Sequence, residues 1–222
     1  MTEIILIRHG ETEWNLSGRW QGHADSALSP RGVSQAQALS ERMSKEDVDA
    51  VYASDLERAQ HTARLAGSKA NWTFSLMPEL RERDLGVLEG LTTDEMVVEH
   101  PDVYRSFRDD GPEYQPSGGE SFKQFYDRCS SAVEKLSLSH PGKKIVAVTH
   151  GGVLGAIFRY VLRIPLDADR NFVLLNCSLN RIQKDGDRWN LVSWGDVAHL
   201  QGMACLDAVS YTHLTLPTTE RV

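Results

Sequence analysis

Cysteine is scarce: three of 222 residues, Cys129, Cys177 and Cys205, odd in number and widely spaced, with no CxxC pair and no histidine placed as a co-ligand. That argues against a disulfide framework or a structural zinc site, and it fits a reducing compartment, so the cytoplasm is expected. Basic excess is also missing. Lys and Arg number 24 against 31 Asp and Glu, a formal net charge of −7. No global positive field exists for nucleic acid or an anionic membrane, and an anionic ligand must be held by a local cluster. Long hydrophobic runs are absent too. Met1-Thr2-Glu3 carries an acid where a secretory leader needs bases, and the apolar stretch from Ile145 to Leu162 is broken by Thr149, His150 and Arg159. Neither a leader nor a transmembrane span is expected. There is no internal repeat and no Ser/Gly-rich linker. What remains, 41% hydrophobic and 25% charged residues, is the composition of a globular chain long enough to bury a sizeable core.

The local patterns read as alternating strands and helices. Ile4-Ile5-Leu6-Ile7 is a continuous aliphatic run ending in Arg8-His9-Gly10, and Lys144 to Thr149 repeats that pattern and ends in His150-Gly151-Gly152. Such runs suit strands buried on both faces, as in a parallel sheet. Ser29-Pro30 offers an N-cap and a first-turn proline for a helix to about Ser44. Asp49 to Ala53 reads as a short strand, and Ser54-Asp55 as the cap of a helix through Ala66. Ser121 with Gln124 forms a capping box ahead of a helical stripe, Phe122, Phe125, Cys129, Val133 and Leu136. Gly151 to Leu162 reads as a further helix, and Leu179 to Gln183 with Trp189 to Trp194 as a hairpin around Asp185-Gly186-Asp187. Together they predict an α/β fold, three layers α/β/α around a mostly parallel sheet. Residues 1–204 are expected to form one domain, with 84–120 an insertion or lid over the sheet edge. The tail 205–222 fits neither period; an appended segment and a floppy natural terminus both suit it.

In open α/β sheets ligands bind at the carboxyl ends of the strands. One crevice would thus receive Arg8, His9 and His150. Taken singly, a histidine after a buried strand is more often packing than chemistry; two of them, each backed by glycine, point to a shared site. Gly10 and Gly151 let backbone approach a ligand, and a helix beginning near Gly151 would aim amide N–H groups at an anion.

Arg8-His9-Gly10-Glu11-Thr12 resembles the signature of the histidine phosphatase superfamily, the phosphoglycerate mutase-like family. The resemblance extends in order through Asn15, Leu28-Ser29-Pro30-Arg31-Gly32, Ser54 to Ala59, Leu80-Arg81-Glu82-Arg83 and Thr149-His150-Gly151-Gly152, over roughly residues 1 to 200. It implies phosphoryl transfer through a covalent phosphohistidine. By that likeness His9 is the nucleophile, oriented by the Gly10 carbonyl. Arg8 and Arg58 clamp the phosphoryl oxygens, Asn15 and His150 add donors, and Glu82 is the acid–base group. Glu82 has a simpler alternative, a surface pairing with Arg81 or Arg83. The family fold, phosphoglycerate mutase-like, is implied as well. No cofactor is called for, and no His, Cys, Asp or Glu cluster has metal-ligand spacing.

Within the family, two departures favour phosphatases over glycolytic mutases. Trp20-Gln21-Gly22-His23-Ala24-Asp25 has Gln21 where the mutases typically carry Thr, Ser or Cys, and His23 where they carry Trp. Gln21 and Gly22 thereby join the substrate-facing candidates. The mutases' paired arginines for a substrate carboxylate are not visible; Arg105 to Pro112 stands in their place. The pocket is thus expected to be poor in cations beyond Arg8 and Arg58. Trp14, Trp20, Tyr104, Phe107 and Tyr114 could shape an apolar pocket or simply belong to the core. The expected activity is metal-independent hydrolysis of small phosphorylated metabolites. The alternatives are a cofactor-dependent phosphoglycerate mutase and a catalytically inactive phosphate-binding module.

Overall fold

A computed structural model of the chain describes residues 1–203. The expected tail, 205–222, lies outside the described residues. At the centre run β1 (Thr2–Arg8) and β4 (Lys144–Thr149), parallel and in a register that pairs Ile4 with Ile145 and Arg8 with Thr149. The two strands therefore end level, and the His9 amide donates to the Thr149 carbonyl at 2.8 Å. β2 (Ala50–Ala53) and β3 (Ser75–Leu76) continue the parallel part on one side. On the other side β5 (Leu179–Asp185) and β6 (Arg188–Asp196) add an antiparallel hairpin, turned at Gly186 with φ 55°. The sheet order is β3-β2-β4-β1-β5-β6, a mostly parallel six-stranded sheet as the alternation predicts.

Because strand residues alternate faces, β1 feeds two cores. Ile5 and Ile7 pack with Leu39 and Met43 of α2 (Pro30–Met43) and with Ala59 and Ala63 of α3 (Glu57–Ala66). Ile4 and Leu6 pack with Phe125 and Val133 of α6 (Phe122–Ser139) and with Leu154 and Ile157 of α7 (Gly151–Leu162). Each Ile, Leu, Val, Met or Phe side chain removed from water this way contributes roughly 1.5–3 kcal/mol. Helices on both faces of the sheet complete the three layers.

The local signals at α2 and α6 act as read: Ser29 Oγ accepts from the Gly32 amide ahead of Pro30, and Ser121 with Gln124 forms a reciprocal capping box. The start of α3 differs. Neither Ser54 nor Asp55 caps it; the N-cap position falls on Leu56, which supplies no side-chain bond. Asp25, more than thirty residues earlier in the chain, caps the helix instead, its carboxylate accepting from the amides of Glu57 at 2.5 Å and Arg58 at 3.3 Å. Ser54 and Asp55 are diverted to other partners, His150 and Arg81.

Short α1 (Glu13–Leu16) follows β1. Within 84–120, α4 (Thr93–Glu99) and α5 (Pro101–Asp109) close a satellite core of Leu85, Leu88, Met96 and Phe107, with Trp20, Tyr104 and Tyr114 against it. Phe107 is thus core and Tyr104 and Tyr114 pack partly buried against it, whereas Trp20 both packs here and lines the active-site cavity. Among the described residues no helix is long and apolar enough to cross a membrane.

Candidate active site

The level ends of β1 and β4 set His9 and His150 side by side, their ring centroids 5.2 Å apart. Both are buried. His9 Nδ1 lies 2.7 Å from the Gly10 carbonyl oxygen, and since a carbonyl only accepts, Nδ1 carries the proton and donates. That tautomer leaves the Nε2 lone pair unprotonated. Burial, Arg58 and Arg8 together push the His9 pKa well below the ordinary 6.5, so the ring is neutral at pH 7. An imidazole held this way can attack phosphorus without losing a proton first.

Gly10 itself does not line the cavity. Its carbonyl orients His9, its amide donates to Thr62 Oγ1 at 2.9 Å, and a Cβ there would sit 2.6 Å from the Gly32 carbonyl oxygen. The α2 terminus thus packs against it too closely for any side chain.

Arg58 enters from the first turn of α3 and is 1% exposed. Its Nη2 donates to the Gly22 carbonyl at 2.7 Å, its Nη1 to the Ala24 carbonyl and Asp25 Oδ1 at 2.8 and 2.9 Å, and its Nε to His150 Nδ1 at 3.2 Å. Four of its five N–H groups are engaged, leaving one on Nη2 for a ligand. The multidentate clamp expected of Arg58 narrows to that single donor. His150 is likewise committed. Nδ1 accepts from Arg58 and Nε2 lies 2.8 Å from Ser54 Oγ, so the ring orients Arg58 rather than lining the cavity as the donor expected of it. Burial first, then the charge of Arg58, holds its pKa well below the ordinary value.

Glu82 sits across the crevice at the start of α7. Its Oε2 accepts from the Gly152 amide at 2.8 Å and its Oε1 from the Arg83 amide at 2.9 Å. The surface pairing with a neighbouring arginine side chain is not what the structure adopts: Arg81 binds Asp55 in a two-pronged ion pair instead. The anion expected at the helix that starts at Gly151 is therefore the protein's own carboxylate, and a Cβ on Gly152 would run into Glu82 Oε1 and force the carboxylate to shift.

Asn15 is set by its neighbours. Its Oδ1 accepts from the Thr12 amide at 3.1 Å, and Asn176 Nδ2 approaches the same oxygen at 3.5 Å while donating to the His9 carbonyl at 3.0 Å. A backbone N–H requires an oxygen opposite it, so the Asn15 amide nitrogen is the atom left to donate to a ligand. Segment 174–177 braces the whole strand end: the Leu174 carbonyl accepts from Arg8 Nη1, and the Cys177 amide donates to the Arg8 carbonyl at 3.1 Å. No local pattern marks Asn176, because its partners lie more than 160 residues away.

Arg8, His9, Asn15, Gln21, Gly22, Arg58, Glu82 and Gly151 line one cavity of about 200 Å³. The expected shortage of cations is not found. Arg19, Arg83, Arg159 and Arg170 line the same cavity, with Glu82 the one carboxylate lining it among the described residues. Arg83 and Arg159 both stand against the Phe122 ring, at 5.8 and 5.7 Å from its centroid. They come from separate parts of the chain, so no adjacent Arg-Arg pair could have announced them. Gln21 Oε1 is buried there without a hydrogen-bond partner.

The family model described as histidine phosphatase superfamily (branch 1) matches residues 4–197. The chain belongs to that superfamily. It is 41% identical over 209 residues to the metal-independent phosphoserine phosphatase of Arabidopsis thaliana, covering 93% of this chain and 86% of the relative. It is 40% identical over 203 residues to phosphoglycerate mutase-like protein 4 of the same plant, covering 90% and 87%. Among solved structures, Bacillus stearothermophilus YhfR superposes with a TM-score of 0.82 at 33% identity, covering 90% of this chain and 99% of that one. This histidine phosphatase is accordingly a phosphatase enzyme with the fold of its family.

Proposed function

We propose that the protein hydrolyses small phosphomonoesters without a metal, through a phosphohistidine at His9. The observation that carries this reading is the Nδ1–H bond to the Gly10 carbonyl, which leaves a neutral Nε2 beside Arg8, Arg58 and Asn15. His9 Nε2 attacks phosphorus as the ester P–O bond breaks. The Glu82 carboxyl gives the departing alkoxide the proton that it regains from water in the second step. The Glu82 carboxylate then takes a proton from water, whose oxygen attacks phosphorus and breaks the P–N bond, returning His9 neutral and releasing inorganic phosphate. Arg8, Arg58 and Asn15 supply donors to oxygens on which charge spreads in both steps.

The lining adds a substrate class. Of the six lining arginines, Arg19 and Arg58 are ion-paired with Glu95 and Asp25; the positive excess left over the Glu82 carboxylate still favours an ester with a second negative charge, and the unpartnered Gln21 Oε1 calls for a donor from the ligand. A phosphorylated amino or hydroxy acid meets both conditions, consistent with the phosphoserine phosphatase among the relatives. A reducing, cytoplasmic setting suits the buried free thiols of Cys129 and Cys177.

The mutase reading is tested directly. Given 3-phosphoglycerate with a trace of 2,3-bisphosphoglycerate, the enzyme should release inorganic phosphate faster than it forms 2-phosphoglycerate, and phosphoserine should be turned over faster still. Rapid isomerisation with negligible phosphate release would establish the mutase instead.

A further inference from the structure

Glu82 belongs to a stretch with little regular structure of its own: the short 3₁₀ turn Pro78–Leu80 ends before it, and the next such turn, Gly86–Leu88, begins after it. Something else must fix its backbone. Arg128, two turns into α6, reaches across and spends all five guanidinium N–H groups on this region. Nη1 donates to the carbonyls of Glu79 at 3.0 Å and Arg81 at 2.9 Å, and Nη2 to the Glu82 carbonyl at 3.1 Å. Nε and Nη2 hold the two oxygens of Glu120 at 2.8 and 2.6 Å, and Glu120 Oε2 also accepts from the Asp84 amide at 3.1 Å. The Arg128 Cζ lies 5.2 Å from the ring centroid of Phe125, which lines the cavity. One side chain thus grips both sides of Glu82 along the chain, directly at 79, 81 and 82 and through Glu120 at 84.

We propose that Arg128, paired with Glu120, is the positioning residue of Glu82. It touches neither the cavity nor a reacting atom. It holds the backbone from which the carboxyl reaches the leaving-group oxygen, and a displacement of about 1 Å there is enough to cost on the order of 100-fold in proton transfer. The inference rests on the reading of Glu82 as the acid–base group. Lysine cannot replace the fork, since an ammonium has three donors and no planar pair for a carboxylate.

The test compares kcat/KM on an alkyl phosphate, phosphoserine, with that on p-nitrophenyl phosphate, whose leaving group needs little protonation. Glu82→Gln is the reference and should lower the alkyl rate on the order of 100-fold or more relative to the aryl rate. Arg128→Lys should show the same selectivity at smaller size, about 10-fold or more on phosphoserine with the aryl rate within about 3-fold. In the Glu82→Gln background, Arg128→Lys should add no further selectivity. If Arg128→Lys does not fold by circular dichroism, Glu120→Gln, which weakens the carboxylate end of the grip, carries the same comparison. Equal losses on both substrates, no loss, or selectivity that adds to that of Glu82→Gln would overturn the positioning role while leaving Glu82 as assigned. An unselective Glu82→Gln would instead remove the acid–base reading of Glu82, and this inference with it.

Discussion

Asp25 joins two tasks that are usually separate, and removing it puts a number on both. Its carboxylate caps α3 and pairs with Arg58, which is 1% exposed while Asp25 keeps 33% of its side chain in solvent. Loss of an N-cap costs about 1 kcal/mol. Loss of a charged hydrogen bond to a buried partner costs about 1.5–3 kcal/mol, and the exposure of Asp25 together with the surviving Gly22 and Ala24 carbonyls on Arg58 argues for the lower half. Asp25→Ala should therefore destabilise the fold by about 2–4 kcal/mol, lowering Tm by on the order of 10 °C. Asp25→Asn keeps one accepting oxygen but loses the charge and turns the other oxygen into an NH2 that faces an N–H donor, so it should cost about 1.5–3 kcal/mol. Urea unfolding followed by circular dichroism gives both values, with the slope m unchanged in each variant. Both variants should also lose phosphatase activity, since Arg58 loses its one carboxylate partner in this set of bonds. The reasoning is refuted if both variants unfold within about 0.5 kcal/mol of the wild type, the range of an ordinary surface substitution.

Gly152→Ala should fold but turn over phosphoserine on the order of 10-fold or more slowly, because a Cβ displaces Glu82 Oε1; a wild-type rate would show that Glu82 moves aside at no cost. His9 and His150 both have folded pKa values well below 6.5, so the unfolded chain binds these protons first as pH falls. Their contribution to stability is intact above about pH 6.5 and declines below it. Urea midpoints measured from pH 7.5 downward should fall in that window, less steeply in His150→Gln. A flat profile, or an unaltered slope in the variant, would contradict the neutral pair. Among the described residues no group of three or more His, Cys, Asp or Glu is arranged to hold a metal ion, so a chelator should leave phosphate release unchanged; a chelator-sensitive rate restored by a divalent cation would count against the mechanism.

The strand ends were legible because their information is local. Uninterrupted aliphatic runs closing in Arg8-His9-Gly10 and His150-Gly151-Gly152 say both that the strands are buried and where they stop. Ser29-Pro30 and Ser121 with Gln124 cap helices by contacts three residues apart, which spacing records directly. Ser54 failed the same test because His150, distant in sequence, competes for its hydroxyl, and Asp25 caps α3 from a loop. The cationic lining was invisible for a related reason. Arg19, Arg83, Arg159 and Arg170 converge only once four separate segments are folded, so a search for adjacent arginines reports a shortage where the cavity has a surplus. The roles of His150 and Arg58 also depended on geometry, since only bond directions reveal how many donors remain for a ligand.

The most direct test is to trap the intermediate. Mixing the enzyme with phosphoserine carrying labelled phosphate and quenching within milliseconds should give protein-bound label that is lost in acid and stable in base, as a phosphoramidate is. Peptide mapping should place it on His9, and His9→Ala should bind no label and release no phosphate while keeping its far-ultraviolet spectrum. Label that persists in His9→Ala, or turnover at the wild-type rate without any bound phosphate, would contradict a phosphohistidine at His9.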